Sequence, residues 1–214
     1  MATEERIGVD ESGKGDFFGP LVIAACYVAP HHYAELDGVR DSKTLTDKRA
    51  TDLAKAIKKH CPFEIVAIGP AKYNELYSKI GNLNRLLAWG HAQAIQKVLE
   101  KQPCNLAISD QFANPTYLQS LLDRKGMGIV LLSEVRAESD LAVAAASILA
   151  RAEFLNRLKR LGDEIGVALP KGAGPQVDLV AARIIKNKGE GALRDVAKLH
   201  FKTVEKARAL AKGL

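Results

Sequence analysis

The sequence predicts an α/β fold, a mixed sheet with helices on its faces, on three observations. Three β-rich segments, "RIGVD", "LVIAACYV" and "FEIVAIG", come early in the chain. Helical and strand-like segments then alternate from Asn82 onward, and the tail after "LPKGAGPQ" is helical and rich in cations. With 214 residues and 47% hydrophobic content, the chain has material for one ample core, which excludes a disordered polymer.

The elements follow in order. Arg6 to Val28 reads as two strands joined through a Gly-rich stretch. "TDKRATDLAKAIKKH" is a helix: Leu53, Ala56 and Ile57 form its apolar stripe, and Thr46 is placed to cap its first turn. "FEIVAIG" supplies the third strand. Asn82 to Lys101 is a long helix in which Trp89 joins Leu86 and Leu87 as expected core. The strand "NLAISD", the helix "PTYLQSLLDRK", the strand "GIVLLS" and the Ala-rich helix "DLAVAAASILARAEFLNRLKRL" complete the alternation. "VDLVAARIIKNKG" and "TVEKARALAKGL" are the tail helices. Without a repeat, a low-complexity tract or a long linker, one domain over residues 1–214 is expected.

Charge and cysteine usage narrow the class. A formal net charge of +6 and an isoelectric point near 9.2 favour anionic partners. Cys26, Cys61 and Cys104 are odd in number and widely spaced, which points to a reducing compartment rather than a disulfide framework or a zinc knuckle. The N-terminal "MATEERIGVD" has no apolar core, and "PLVIAACYVAP" is too short to span a bilayer, so a cytoplasmic protein with no membrane partner is expected.

Chemistry concentrates in "GVDESGKGDFFGP", Gly8 to Pro20. Gly8, Gly13 and Lys14 fit the start of a phosphate-binding G-x-x-x-x-G-K loop, but Gly15 stands where that loop needs Ser or Thr. The following segment is also strand-like, whereas a phosphate loop leads into a helix. The alternative is a metal site. Asp10 closes the first strand and Asp110 closes "NLAISD". Consecutive strand residues point to opposite faces, so Asp10 and Glu11 can share one site only if the strand breaks there. "SEVRAESD" adds Glu134, Glu138 and Asp140. Gathered carboxylates repel, and oxygen-only ligands suit Mg²⁺ or Mn²⁺, two of which can activate water and stabilise a leaving oxygen. Taken singly, each acid also reads as a solvated strand end or helix cap.

Together these residues resemble the type 2 and type 3 ribonucleases H, with ribonuclease HIII the better match. "GVDESGKGDFFGPLV" matches the first motif, with Gly13-Lys14-Gly15 where type 2 enzymes usually carry Gly-Arg-Gly. "RDSKTLT", "ISDQF", "AVAAASILAR", "LPKGAG" and "KLHFKT" follow in family order across nearly the whole chain. The resemblance implies a ribonuclease H-like fold, a central five-stranded mixed sheet flanked by helices with a helical C-terminal extension. It implies metal-dependent hydrolysis of the RNA strand of an RNA/DNA hybrid, leaving 3'-hydroxyl and 5'-phosphate ends.

By the same resemblance Asp10, Glu11 and Asp110 are the first three catalytic carboxylates, and Glu138 matches the fourth, with Glu134 and Asp140 open as alternatives. Main-chain groups of Ser12, Gly13, Lys14 and Gly15 would contact RNA 2'-hydroxyls, the groups that distinguish RNA from DNA. Ser42, Lys43, Ser147 and Lys171 would touch the substrate backbone, although a turn, close helix packing and a loop explain them structurally. His200 would assist product release or simply pack beside Phe201. The RNA/DNA hybrid is the expected partner, with no obligate protein partner. Cleavage is expected within runs of ribonucleotides and weakly at a single embedded one. Junction-cleaving type 2 activity and a non-catalytic nucleic-acid-binding module are the alternatives. Type 3 members usually carry an N-terminal domain resembling the TATA-binding protein; only a few residues precede the first motif here, so the catalytic domain alone is expected.

Overall fold

The computed structural model describes residues 4–39, 45–110, 115–134 and 137–213, with the backbone alone at Glu138. Its five strands are β1 (Arg6–Ser12), β2 (Leu21–Val28), β3 (Phe63–Ile68), β4 (Leu106–Asp110) and β5 (Val130–Glu134). They form one sheet in the order β3-β2-β1-β4-β5. β1 pairs antiparallel with β2 but parallel with β4, and β4 pairs parallel with β5. The mixed sheet follows from chain length: the short Gly-rich link from β1 to β2 permits a reversal, whereas parallel neighbours need helical crossovers.

The helices are α1 (Asp47–His60), α2 (Pro70–Ile80), α3 (Leu83–Leu99), α4 (Pro115–Arg124), α5 (Leu141–Ile165), α6 (Pro175–Lys188), α7 (Leu193–Val196) and α8 (Thr203–Ala211). Thr46 caps α1 by accepting a hydrogen bond from Arg49 N at 3.2 Å, and Asn82 caps α3 through Arg85 N at 3.1 Å. The sequence reading passed over α2, which starts on Pro70 and ends at Gly81 in the left-handed region, φ 66°. It also passed over the 3₁₀ turn Pro30–Leu36. Among the described residues, no helix is long and apolar enough to cross a membrane. Cys26, Cys61 and Cys104 are all buried and free.

The chain divides into two compact units. One comprises Met1–Ser12, Val22–Val66 and Asn82–Ala152; the other comprises Gly13–Leu21, Ala67–Gly81 and Glu153–Leu214. In the first unit, β1 has two working faces set by the strand's period of two. Arg6, Gly8 and Asp10 share the face that meets α5. A Cβ added at Gly8 would lie 2.0 Å from the Ala142 carbonyl carbon and 2.2 Å from Val143 N, so Gly8 lets helix and strand backbones meet. Arg6 Nε donates to Asp140 Oδ2 at 2.6 Å, and Asp140 Oδ1 accepts from Ala142 N at 2.8 Å, which fixes the start of α5. Ile108 of β4 packs with Ala137 and Val143 on this side.

Ile7, Val9 and Glu11 take the opposite face. There α3 comes close at Gly90, where an added Cβ would lie 2.7 Å from Ile23 Cδ1. The buried stripe of α3 runs through Leu86, Leu87, Gly90, His91, Ala94, Ile95 and Val98. Trp89, expected in that core, is 38% exposed instead. At about 100° per residue it sits roughly opposite the centre of the stripe, so its nearness in sequence to Leu86 and Leu87 was misleading.

Gly8 gives a direct test of the α5 contact. Gly8→Ala should destabilise the protein by about 3 kcal/mol or more, measured by urea unfolding, because the added methyl meets backbone that has no rotamer to yield. An unchanged midpoint would contradict the close approach of α5.

Candidate active site

The carboxylates stand at the end of the sheet in the first unit. β4 stays paired with β1 only as far as Val9↔Ser109, so Asp10 and Asp110 each sit one step beyond the last paired residues of adjacent parallel strands. Extending that register puts both on the α5 face. The sequence asks for a break in β1 if Glu11 is to join them. No break occurs: β1 remains paired with β2 through Asp10↔Ala24, Glu11↔Ile23 and Ser12↔Val22, and the chain turns only at Gly13, φ 88°. Asp10 Oδ1 accepts from the Glu11 amide at 2.8 Å, so the Asp10 side chain folds over the chain end toward its neighbour.

Burial pushes the Asp10 carboxyl up to about 7, and the charges of Glu11 and, more weakly, Asp110 push the same way. A hydrogen bond from Ser147 and the Glu11 amide oppose the shift without overcoming it. Ser147, 5% exposed on α5, therefore meets a carboxylate. Glu11 has a partner that the sequence reading did not single out: His91 Nε2 lies 3.0 Å from Glu11 Oε2, with the His91 side chain 1% exposed. A histidine on an otherwise apolar helical stripe was the available signal.

Asp110 Oδ1 faces Ala137 N at 3.4 Å, which brings the 3₁₀ turn Ala137–Ser139 alongside it. Glu138 is the middle residue of that turn. Of its two rivals, Asp140 has both oxygens engaged, one by Arg6 and the other by the first turn of α5. Glu134 lies exposed on β5, in register with Asp110. Among the described residues, no three His, Cys, Asp or Glu side chains already form a metal cage. The donor chemistry nevertheless fits a hard cation, since the oxygens of Asp10, Glu11 and Asp110 are close enough in charge to raise Asp10, and a divalent ion relieves that repulsion.

The Gly-rich loop belongs to the second unit, where it is held from several sides. A Cβ on Gly13 would meet Pro20 O at 2.2 Å, besides the strain of its positive φ. Asp16 accepts from Gly172 N at 2.6 Å, and Phe17 N donates to Gly172 O at 2.9 Å, so "LPKGAG" clasps the loop. Lys198, fully buried, donates from Nζ to the carbonyls of Asp16 at 2.7 Å and Gly19 at 2.8 Å. Burial pulls its pKa down to about 7, with Asp16 resisting. Lys14 is partly buried and Gly15 exposed. Lys171 is exposed beside a concave surface lined by Leu155, Leu158 and Leu169. The His200 ring stacks on Tyr77 with centroids 4.3 Å apart and touches Phe201 at 4.6 Å. Ser42 and Lys43 lie outside the described residues.

Comparison with known proteins identifies the family. The sequence model of ribonuclease HII matches residues 7–204. Ribonuclease HIII of Protochlamydia amoebophila (strain UWE25) is 48% identical over 202 residues, covering 94% of this chain and 67% of the relative. Ribonuclease HIII of Chlamydia pneumoniae is 45% identical over 205 residues, covering 94% and 69%. The crystal structure of Bst-RNase HIII in complex with Mn²⁺ superposes with a TM-score of 0.92 at 36% identity, covering 100% of this chain and 72% of that one. A family match across nearly the whole chain means that this chain belongs to the ribonuclease HII family.

Proposed function

We propose that this ribonuclease H cuts the RNA strand of RNA/DNA hybrids endonucleolytically, leaving 3'-hydroxyl and 5'-phosphate ends, with divalent metal held by Asp10, Glu11, Asp110 and Glu138. The observation that carries the reading is the strained electrostatics of Asp10, raised to about 7 by burial and by neighbouring carboxylates at a strand end. The Mn²⁺ complex of Bst-RNase HIII supports a divalent ion, Mg²⁺ or Mn²⁺. Two such ions, when bound, supply Lewis acidity at the phosphate and lower the pKa of the attacking water. Asp10 and Asp110 would orient them from adjacent strands. Glu11 and Glu138 would complete the oxygen set, Glu138 being favoured over Glu134 because its turn adjoins Asp110.

Ser147 would hold Asp10 rather than act only on the substrate. The main chain of Ser12, Gly13, Lys14 and Gly15 follows the two acids directly, and its contacts with 2'-hydroxyls would select RNA. Ser42, Lys43 and Lys171 would add phosphate contacts, which the net charge of +6 favours. Little base specificity follows from such contacts. Lys14 between two glycines favours cleavage within ribonucleotide runs over a single embedded ribonucleotide. Residues 1–214 would work as one catalytic domain, in the cytoplasm, without an obligate protein partner.

A labelled RNA/DNA hybrid with Mg²⁺ or Mn²⁺ should lose its RNA strand, and a duplex with one ribonucleotide should be cut far more slowly. Asp10→Asn should lower the rate by roughly a thousandfold. Absence of cleavage with either ion, together with salt-sensitive binding indifferent to Asp10→Asn, would establish a binding module instead.

The same substitution should stabilise the metal-free protein. A carboxyl raised from about 4 unfolded to about 7 folded contributes stability below the lower value and loses it as pH rises through the upper one. The gap between variant and wild type should therefore widen from pH 5 to pH 8, with Asp10→Asn raising the pH 8 midpoint by about 2–4 °C or more; the two proteins are compared at each pH because Lys198, lowered to about 7, gains stability over the same range. Equal midpoints for wild type and variant at pH 8 would contradict the repulsion at Asp10.

A further inference from the structure

We infer that His91 is a positioning residue that holds Glu11 in its metal-binding orientation, an inference that rests on the metal reading above. Glu11 leaves β1 on the face opposite Asp10, so its carboxylate must be directed back toward the strand end by something on the α3 side. The contacts on that side are specific. Ile23 is the cross-strand partner of Glu11 and shares its face, and Gly90 lets α3 close on Ile23. The next residue, His91, then reaches Glu11 with Nε2 3.0 Å from Oε2. Glu11 and His91 are 11% and 1% exposed, so water competes little for this contact.

The direction of the bond follows from chemistry. An ionised carboxylate only accepts, so His91 Nε2 carries the hydrogen whether the ring is neutral or charged. A carboxylate pinned through one oxygen loses rotamer freedom. Partners of this kind set ligand orientation, and their loss typically lowers metal affinity by about 10- to 100-fold. Asp10 has Ser147 and the Glu11 amide in a comparable place, and Asp110 has the Ala137 amide. Each described carboxylate of the cluster thus meets its own protein donor.

The test compares His91→Gln with His91→Met, side chains of similar length of which only Gln keeps an N–H donor. Mn²⁺ binding to the substrate-free protein, followed by electron paramagnetic resonance, should weaken about tenfold in His91→Met and stay within about threefold of wild type in His91→Gln. Equal affinities for the two variants would overturn the inference. Glu11→Gln separates the two levels of argument: if it leaves Mn²⁺ binding intact, the metal reading itself fails, whereas weak binding in Glu11→Gln with normal binding in His91→Met refutes only the role of His91. Should neither His91 variant fold, the ¹⁵N resonance of His91 Nε2, compared between wild type and Glu11→Gln, tests the contact on which the inference stands. It should move when Glu11 becomes Gln, and an unmoved resonance would count against the contact.

Discussion

Everything at the carboxylate cluster depends on β1 being covered on both faces by helices that come unusually close. A strand alternates its side chains, so two consecutive acids leave it in opposite directions, and neither can be withdrawn from water without a helix over it. Gly8 admits α5 on one side, two residues before Asp10 and on the same face. Gly90 admits α3 on the other, next to the histidine that meets Glu11. The Arg6–Asp140 pair then fixes where α5 begins, which places Ser147, further along that helix, at Asp10. A glycine and its close-packed helix on each face account for the surroundings of both acids.

That arrangement sets function against stability. Asp10 would be more comfortable in water, because burial and the charges of Glu11 and Asp110 act on it together. Protein donors at Ser147, the Glu11 amide, His91 and the Ala137 amide soften the repulsion without neutralising it. A cluster neutralised internally by Lys or Arg would be more stable and would attract no divalent ion. The nearest guanidinium in the same stretch of β1, Arg6, is instead spent on Asp140.

Much of this was legible in the sequence, and the limits are physical. All five strands were readable, as were the long helices with clear apolar periodicity, because strand alternation and helical stripes are local signals. Thr46 was a usable helix start for the same reason. Helix α2 was missed because "PAKYNELYSKI" carries a weak stripe, with Pro70 and Tyr73 its buried residues. Trp89 was misplaced by adjacency, a failure to carry the angle around the helix. Asp10, Glu11 and Asp110 stood out by motif and strand-end position, but the break expected in β1 does not occur, since the strand stays paired with β2 through Ser12↔Val22. Register decides that question, and register is a tertiary property. His91 could not be distinguished from a core histidine until α3 was seen against β1.

The Gly-rich loop shows why the likeness to a phosphate loop fails on physical grounds as well as on the missing Ser or Thr. In a phosphate loop the backbone amides stay open for the ligand at the start of a helix. Here residues 8–12 are strand, paired with β2 as far as Ser12↔Val22, and in the following turn a buried amine bridges the carbonyls of Asp16 and Gly19. Holding an amine in so dry a setting that its pKa falls to about 7 is costly. The cost is consistent with a loop whose shape matters, since a loosely held turn would do as well for merely joining β1 to β2. Gly13 keeps its left-handed conformation against Pro20, and Gly15 stays exposed. A main chain fixed in this way presents its remaining groups at constant spacing, as recognition of a regular ribose-phosphate backbone requires and as a flexible linker cannot provide.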